Sequence, residues 1–241
     1  MTIETTPDNT GAVENHGAAP RPRLALFDLD HTLIPMDSDY EWGEFTIALG
    51  WCDASEFKRR NTEFFEQYRA GVLDIHEYVR FATQAIREQG ADKARAAHDQ
   101  FMAEVVNKAI TAQARALIDQ HRAAGDEVVI VTATNEFVTR PIAQAFGVSE
   151  LIAVELEHDA DGALTGEIKG TPSAREGKVT RMAQWLAARG LSWDNVQTTF
   201  YTDSLNDLAL LEKATWPVAT NPDERLRAVA LARGWRILDL F

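Results

Sequence analysis

Acidic and hydroxyl side chains follow three short apolar runs of the sequence, and their types are compatible with phosphate chemistry. Asp28 and Asp30 come directly after the first run. Thr132 follows the second run, and Asp203 follows a later one. Such runs are typical of strands buried in a parallel sheet, whose ligands bind outside the carboxyl ends of the strands, so these groups would meet at one edge. Lys178, close to the start of a predicted helix, would add a positive charge there.

Strands alternate with amphipathic helices over most of the chain. The predicted strands are residues 23–27, 127–131, 197–201 and 216–219, and residues 151–157 and 164–168 flank a turn signal as a hairpin. The predicted helices are residues 111–124, 134–146, 176–189, 207–213 and 222–233. This alternation predicts an α/β fold built on a doubly wound, Rossmann-like parallel sheet.

A long helical segment separates the first two strands. From Asp39 to about Lys108, apolar and aromatic residues recur at the three-to-four spacing of amphipathic helices. This pattern predicts a helical insertion of roughly 70 residues directly after the first strand. Residues 1–21, in contrast, combine proline and glycine with polar side chains and contain no apolar run. That composition predicts a disordered tail, not a signal peptide or a membrane span.

The chain is acidic, and its charge is unevenly distributed. Of 241 residues, 24 are Lys or Arg and 37 are Asp or Glu, which gives a formal net charge of −13. Eight carboxylates lie between residues 24 and 57 and four between residues 190 and 212, with no Lys or Arg in either segment. Nucleic acids and anionic membranes would be repelled, which excludes them as main partners. A phosphate ester would be repelled as well, which predicts a compensating cation at these segments.

Cysteine content and hydropathy indicate the compartment. Cys52 is the only cysteine, so no intramolecular disulfide can form, and a reducing, cytoplasmic compartment is expected. No stretch reaches 18 apolar residues. We therefore expect a soluble protein.

The first acidic segment resembles a known signature. Phe27-Asp-Leu-Asp-His-Thr-Leu33 is similar to the Asp-x-Asp-x-Thr motif that follows the first strand of the haloacid dehalogenase-like phosphatases. Thr132, the Lys178 of Glu-Gly-Lys, and Asp203-Ser-Leu-Asn-Asp207 match the remaining motifs of that family in order. The helical insertion resembles the cap of the phosphoserine phosphatase-like branch.

The resemblance spans residues 22–241 and implies a division of the chain. Residues 22–36 and 108–241 would form the catalytic core, and residues 37–107 the helical cap. A cap of this kind closes over the site, excludes water and contacts the substrate, so specificity would lie in it. One departure concerns the fourth motif, where the family usually has glycine before the acidic residue and this chain has Tyr201-Thr202.

The resemblance also implies a role for each matched residue. Asp28 would attack phosphorus and form an aspartyl-phosphate that water then hydrolyses. Asp30 would protonate the leaving group and later deprotonate the water. Thr132 would bind phosphate oxygens, and Lys178 would pair with the phosphoryl group and with the Asp28 carboxylate.

The same motifs imply Mg²⁺ as cofactor. Asp28, the Asp30 carbonyl and Asp203 form an all-oxygen set of the kind that this ion prefers. Asn206 and Asp207 would lie beside the metal or orient its ligands and water. The implied activity is hydrolysis of a small phosphorylated metabolite.

Specificity can be compared with the phosphoserine phosphatases of this branch. Those enzymes hold the substrate ammonium with an acidic residue just past the first motif, and Asp37 matches that position. They hold the substrate carboxylate with a cap arginine. Arg80 is the nearest candidate, but the register places Ala82 at that point, which argues against phosphoserine.

A different substrate fits the composition of the cap entrance. The segment from Asp37 to Glu44 groups acidic side chains with an indole and contains no base. It favours a flat, cationic phosphomonoester without a carboxylate, such as histidinol phosphate. The pattern Asp-Ser-Asp-x-x-Trp-Gly-x-Phe also looks like bacterial proteins of this branch described as histidinol-phosphate phosphatases. Two other interpretations stay open: phosphotransfer to an acceptor other than water, and a non-catalytic metabolite-binding descendant of the fold.

Overall fold

The structure, a computed structural model, describes residues 21–241 and is built on a parallel sheet. Its strands are β1 (Arg23–Phe27), β2 (Glu127–Asn135), β3 (Glu150–Val154), β4 (Leu156–His158), β5 (Leu164–Ile168), β6 (Gln197–Thr202), β7 (Trp216–Thr220) and β8 (Arg236–Leu238). Six of them form one sheet in the order β3-β2-β1-β6-β7-β8, with every neighbouring pair parallel. The tail predicted for residues 1–21 lies, apart from Arg21, outside the described residues.

Helices follow the strands and fill the long insertion. They are α1 (Ser38–Ala48), α2 (Ala54–Ala70), α3 (Ile75–Ala82), α4 (Gln84–Gln89), α5 (Ala91–Phe101), α6 (Asn107–Ala109), α7 (Ala112–Ala123), α8 (Glu136–Ala145), α9 (Glu176–Ala187), α10 (Leu208–Lys213) and α11 (Glu224–Arg233). Side chains of Asp37, Asp53 and Asp74 accept backbone N–H groups at the starts of α1, α2 and α3, which caps these helices. Across residues 21–241 no helix is long and apolar enough to cross a membrane.

Both faces of the sheet are covered by apolar side chains. Along β1, Ala25 and Phe27 belong to one buried cluster, whereas Leu24 and Leu26 belong to the other. Successive side chains of a strand point to opposite faces, so a continuously apolar strand requires packing on both sides. The two clusters confirm the α/β, doubly wound architecture that the sequence predicts.

The register of the sheet brings the predicted site residues together. Phe27, the last residue of β1, pairs with Ile130 on one side and with Tyr201 on the other. The backbone N–H of Asp28 then donates to the Tyr201 carbonyl at 2.9 Å. The chain therefore leaves β1 between the ends of β2 and β6, where the connections diverge to opposite halves of the sheet and where ligands of such folds bind.

The insertion is anchored to the sheet at both of its ends. Trp42 of α1 and Phe101 of α5 belong to the same buried cluster as Phe27 and Ile130. The middle of the insertion contacts the β4–β5 hairpin, and Val79 of α3 packs in a small separate cluster there. The division of the chain at residues 37 and 107 stays a prediction, because part of the insertion shares the core of the sheet.

Two strands differ from the sequence prediction. Residues 151–157 do not form one strand: β3 pairs in parallel with β2, and after Glu155 the chain turns into β4, which pairs antiparallel with β5. The sequence of an apolar run does not indicate where its pairing partner changes, so the prediction joined β3 and β4 into one strand. The short edge strand β8 was not predicted, since three residues carry too little pattern.

His98 of α5 is buried in an aromatic environment. It is 3% exposed, and its ring lies 5.2 Å from that of Trp42 and 5.3 Å from that of Phe137, measured between centroids. Its Nε2 lies 3.1 Å from the Val138 carbonyl, which can only accept, so Nε2 carries the proton. Burial lowers the pKa of His98 from an ordinary value of 6.5 to about 4.

The neutral form of His98 predicts a pH-dependent contribution to stability. Between these two pKa values the unfolded chain binds a proton that the folded chain does not, so stability falls as the pH drops. The free energy of unfolding should lose about 2 kcal/mol from this group by pH ~5. His98→Phe should remove that part of the pH dependence, measured as urea unfolding at pH ~7.5 and ~5. The exposed His158→Phe is the control, and equal pH dependence in wild type and His98→Phe would contradict the assignment.

Candidate active site

A buried lysine links two carboxylates at the carboxyl edge of the sheet. Lys178 Nζ lies 2.9 Å from Asp28 Oδ1 and 2.6 Å from Asp207 Oδ2. Thr202 also donates to Asp207 through its hydroxyl, at 2.7 Å. Burial opposes the charged form of Lys178, but the charges of Asp207 and Asp28 outweigh it and raise the lysine pKa. Burial raises the pKa of Asp207 to about 6, and Lys178 limits that rise.

The turn before α9 explains how Lys178 reaches this position. The Gly177 N–H donates to the Ala174 carbonyl at 2.9 Å and closes a tight turn. A Cβ on Gly177 would lie 2.0 Å from the Pro172 carbonyl oxygen, so no other residue fits there without backbone movement. The Glu-Gly-Lys sequence therefore places the lysine on the first turn of α9, facing the strand ends.

Asp203 is held by the threonine of the first motif. The Thr32 hydroxyl donates to Asp203 Oδ1 at 3.1 Å and accepts the Asp203 N–H at 3.0 Å. Thr32 therefore ties the loop after β1 to the end of β6. Burial, together with the charges of Asp28 and Asp207, raises the pKa of Asp203 well above its ordinary value.

Asp30 faces a different direction from Asp28 and Asp203. One of its oxygens accepts the Ser38 N–H at 2.8 Å, and the other accepts the Thr134 hydroxyl at 2.9 Å. Burial, followed by the charge of Asp37, raises the pKa of Asp30 to about 8. The carboxyl group can therefore hold a proton at neutral pH.

Thr132 is buried beside these carboxylates at the edge of the sheet. Its hydroxyl accepts the Thr134 N–H at 3.1 Å, and its carbonyl accepts the Ser173 hydroxyl at 2.7 Å. The end of β2 is thus fixed to the loop that leads into α9.

The insertion covers this edge and encloses a cavity of about 290 Å³. Its walls combine residues at the carboxyl edge of the sheet with aromatic side chains of the insertion, namely Tyr40, Phe64, Phe65, Tyr68 and Tyr78. The Asn206 side chain, at the edge of the sheet, donates to the Tyr68 carbonyl at 3.3 Å. Asp28, Asp30, Asp37, Thr132, Lys178, Asp203, Asn206 and Asp207 all line the cavity.

Two of the predicted substrate residues lie outside this cavity. Arg80 forms an exposed ion pair with Glu167 of β5 at 3.1 Å. Glu44 forms an ion pair with Lys58 at 3.2 Å. Neither residue lines the cavity, because each pairs with a residue outside it; on a helix, a shift of one or two residues in register is enough to make that difference.

The oxygen donors at the edge fit a divalent cation such as Mg²⁺. Asp28 and Asp203 offer carboxylate oxygens, and the pKa of Asp203 is raised by burial and by the charges of Asp28 and Asp207, a repulsion that a bound cation would relieve. No group of three or more acidic, histidine or cysteine side chains capable of holding a metal occurs within residues 21–241. The predicted set needs only two carboxylates, because Asp30 enters it through its carbonyl and its side chain is bonded elsewhere. Hard oxygen ligands and uncompensated negative charge are what this ion requires.

Comparison with known proteins identifies the family. Residues 25–212 match the model of the haloacid dehalogenase-like hydrolases. The chain belongs to this family. It is 41% identical to histidinol-phosphatase from Neisseria meningitidis serogroup C (strain 8013) over 217 residues, which cover 90% of this chain and 98% of that protein.

Solved structures agree with this membership. A protein of unknown function from Bordetella pertussis Tohama I is 48% identical, with a TM-score of 0.86, and the match covers 92% of this chain and 100% of that one. A substrate-bound phosphoserine phosphatase has a TM-score of 0.64 at 17% identity, over 92% and 94% of the two chains, and so shares the fold. The protein is an enzyme, a phosphatase of the haloacid dehalogenase-like family.

Two polar residues at the site of this phosphatase escaped the sequence prediction, and a third was included only among the acidic side chains of the cap entrance. Thr134, which the sequence suggests only as the start of a predicted helix, donates its hydroxyl to Asp30. Asp39 is buried at the cavity and accepts the Tyr78 hydroxyl at 2.7 Å, and burial raises its pKa to about 7. Arg175 lines the cavity one residue before α9. Its place directly before Glu-Gly-Lys was the available signal, whereas Tyr78 meets Asp39 only through tertiary packing.

The Lys178 cluster predicts a large and pH-dependent loss of stability. Lys178→Met would leave Asp28 and Asp207 buried without their cation, which should cost about 3–5 kcal/mol. The loss should be smaller at pH ~5.5 than at pH ~8, because the folded-state pKa of the stranded carboxyls rises and protonation relieves them at low pH. Urea unfolding in EDTA measures both values. Lys58→Met, which breaks an exposed pair with Glu44, should cost less than about 1 kcal/mol, and a similar cost for both variants would contradict the analysis.

Proposed function

We propose that this phosphatase hydrolyses histidinol phosphate, with Mg²⁺ as cofactor and through an aspartyl-phosphate on Asp28. The observation that carries the proposal is the buried contact of Asp28 with Lys178 at the carboxyl edge of the sheet. The relation to the histidinol-phosphatase of Neisseria meningitidis over nearly its whole length supports the choice of substrate. We also propose a cytoplasmic location, on the ground of the single cysteine.

In the first chemical step Asp28 acts as nucleophile. One of its carboxylate oxygens attacks phosphorus, the bond from phosphorus to the substrate oxygen breaks, and the proton on Asp30 passes to that leaving oxygen. The raised pKa of Asp30, about 8, supports this role because a general acid must be protonated near neutral pH. Lys178 and the Thr132 hydroxyl would bind oxygens of the transferring group.

In the second step water releases the phosphate. Asp30, now a carboxylate, takes a proton from a water molecule whose oxygen attacks phosphorus. The bond from phosphorus to Asp28 breaks, inorganic phosphate leaves, and both residues return to their starting states. Asp28, Asp203 and the Asp30 carbonyl would hold Mg²⁺, which when bound neutralises charge on the phosphate oxygens.

The cavity supports a flat, cationic substrate. Aromatic rings of the insertion form much of its wall, and an imidazole ring can pack against such surfaces. Asp37 and Asp39 both line it, and Asp37 lies close enough for its charge to raise the pKa of Asp39 and of Asp30. Within the described part of the chain, residues 38–107 contribute no Lys or Arg to the lining, so the insertion offers no cationic partner for a substrate carboxylate.

A substrate panel tests the proposed function. With Mg²⁺, kcat/KM for L-histidinol phosphate should exceed that for L-phosphoserine by about 10-fold or more, since the insertion supplies no cation for the phosphoserine carboxylate and a hydrogen bond between charged groups is worth more than about 1 kcal/mol. Turnover should stop with EDTA and in Asp28→Asn, and added Mg²⁺ should restore only the wild type. Faster turnover of phosphoserine would refute the proposed substrate, and an active Asp28→Asn would refute the proposed nucleophile.

Asp37 provides a test of selectivity that leaves the fold intact. Asp37→Asn keeps the helix cap of α1, because asparagine caps as well as aspartate, and removes only the charge. KM for histidinol phosphate should rise by about 10-fold or more, because the ammonium group would face a neutral amide oxygen in place of a carboxylate. KM for p-nitrophenyl phosphate, which has no cation, should change by less than about threefold. Equal changes for both substrates would remove Asp37 from substrate recognition.

A further inference from the structure

Arg175 brings a second positive charge to the cavity, and its side chain forms no hydrogen bond or ion pair with the described residues. Among the lining residues, Arg175 and Lys178 are the only Lys or Arg in the part of the chain that the structure describes. Lys178 is engaged by two carboxylates, Asp28 and Asp207. Arg175 Nη2, in contrast, is buried and has no hydrogen-bond partner within residues 21–241. A buried donor left unpaired costs free energy, so an acceptor on a bound ligand would stabilise this atom.

The backbone at Arg175 is strained. Its φ is 52° and its ψ is −123°, and it occupies the first central position of the turn that the Gly177 N–H closes on the Ala174 carbonyl. This combination is a type II′ turn, in which that position favours glycine. Placing a residue with a side chain there costs roughly 1–3 kcal/mol. No hydrogen bond of Nη2 within the part of the chain that the structure describes offsets this cost, which indicates that the side chain serves a ligand.

Arg175 spans the space between the sheet edge and the insertion. Two residues earlier, the Ser173 hydroxyl fixes the loop to the Thr132 carbonyl at 2.7 Å. At the other end of the side chain, a Cβ built on Gly71, in the turn after α2, would lie 3.7 Å from Arg175 Nη2. The Arg175 side chain therefore extends from the loop before α9 to the turn of the insertion and lines the cavity between them.

We propose that Arg175 is a catalytic residue whose guanidinium binds the phosphoryl group of the substrate, with Nη2 donating to a nonbridging oxygen. This inference rests on the proposed phosphatase reaction and is independent of the organic part of the substrate. Asp28, Asp203 and Asp207 outnumber Lys178 at the edge, so a phosphate there needs further positive charge. A planar guanidinium matches two phosphate oxygens and keeps its charge at every accessible pH.

The strained turn supplies a variant that separates a ligand role from a structural one. Arg175→Gly removes the side chain and at the same time suits the backbone conformation, so its thermal midpoint should equal or exceed that of the wild type. With Mg²⁺, its kcat/KM should fall about 10²–10³-fold, the usual effect of losing one donor to the developing charge. The fall should be similar for histidinol phosphate and p-nitrophenyl phosphate, because both carry the same phosphoryl group.

Two further measurements complete the test. Inorganic phosphate should inhibit Arg175→Gly with a Ki at least about 10-fold above the wild-type value, since it retains only the group that Arg175 binds. Arg175→Lys keeps the charge and should recover part of the loss. Arg95→Met, at an exposed arginine paired with Asp92, is the control and should leave kcat/KM and Ki unchanged.

Several results would overturn the proposal. If Arg175→Gly keeps kcat/KM for p-nitrophenyl phosphate within about threefold, the guanidinium does not bind the phosphoryl group. If the variant loses stability while the Ki of phosphate stays the same, Arg175 is a strut between the core and the insertion. If activity falls only with phosphoserine, the residue binds a carboxylate. If the wild type turns over p-nitrophenyl phosphate but not histidinol phosphate, the proposed substrate is refuted. The role of Arg175 is then still tested by kcat/KM for p-nitrophenyl phosphate in the wild type and in Arg175→Gly.

Discussion

The site depends on the paired contacts of Lys178 with Asp28 and with Asp207. The three residues come from α9, from the exit of β1 and from the segment after β6, so their contact fixes segments that are far apart in the sequence. Buried charges are tolerated only when paired, which makes this arrangement intolerant of small displacements. Even with this pairing the edge has more carboxyl groups than cations. Its charge is balanced only when a metal ion or a nearby positive side chain joins the cluster.

Polar contacts at the rim of the cavity join the insertion to this edge of the sheet. Tyr68 of α2 approaches Ser204 through its hydroxyl, at 3.3 Å, and its carbonyl accepts the Asn206 side chain. The Asn135 side chain, at the end of β2, donates to Asp39 of α1 at 3.2 Å. Contacts of this kind hold the aromatic wall over the strand ends while the apolar anchors of the insertion remain in the core. These hydrogen bonds therefore connect the insertion, which forms the aromatic wall of the cavity, to the residues at the carboxyl edge of the sheet.

Local patterns were enough to predict most strands and helices, because the signals involved are short-range. The apolar run at β1 and the Gly177 turn before α9 each have one conformation that suits them. Pairing is different, since residues 151–157 look uniform in sequence while β3 and β4 have separate partners. Arg80 shows the same limit on a helix: its sequence position suggested the cavity, but the rotation of α3 directs it to Glu167.

The sequence by itself determined the fold class, the family and the chemical types gathered at the strand ends, because motif order and hydrophobic period are properties of the chain. Tertiary structure alone decided which acidic groups have raised pKa values, which side chains reach the cavity and which cation has no partner among the described residues. Those properties depend on burial and on distances between segments that no spacing encodes. The pKa of Asp30 is raised because the residue is buried beside Asp37. Lys178 contacts two carboxylates, whereas Nη2 of Arg175, only three residues earlier, has no hydrogen-bond partner within residues 21–241.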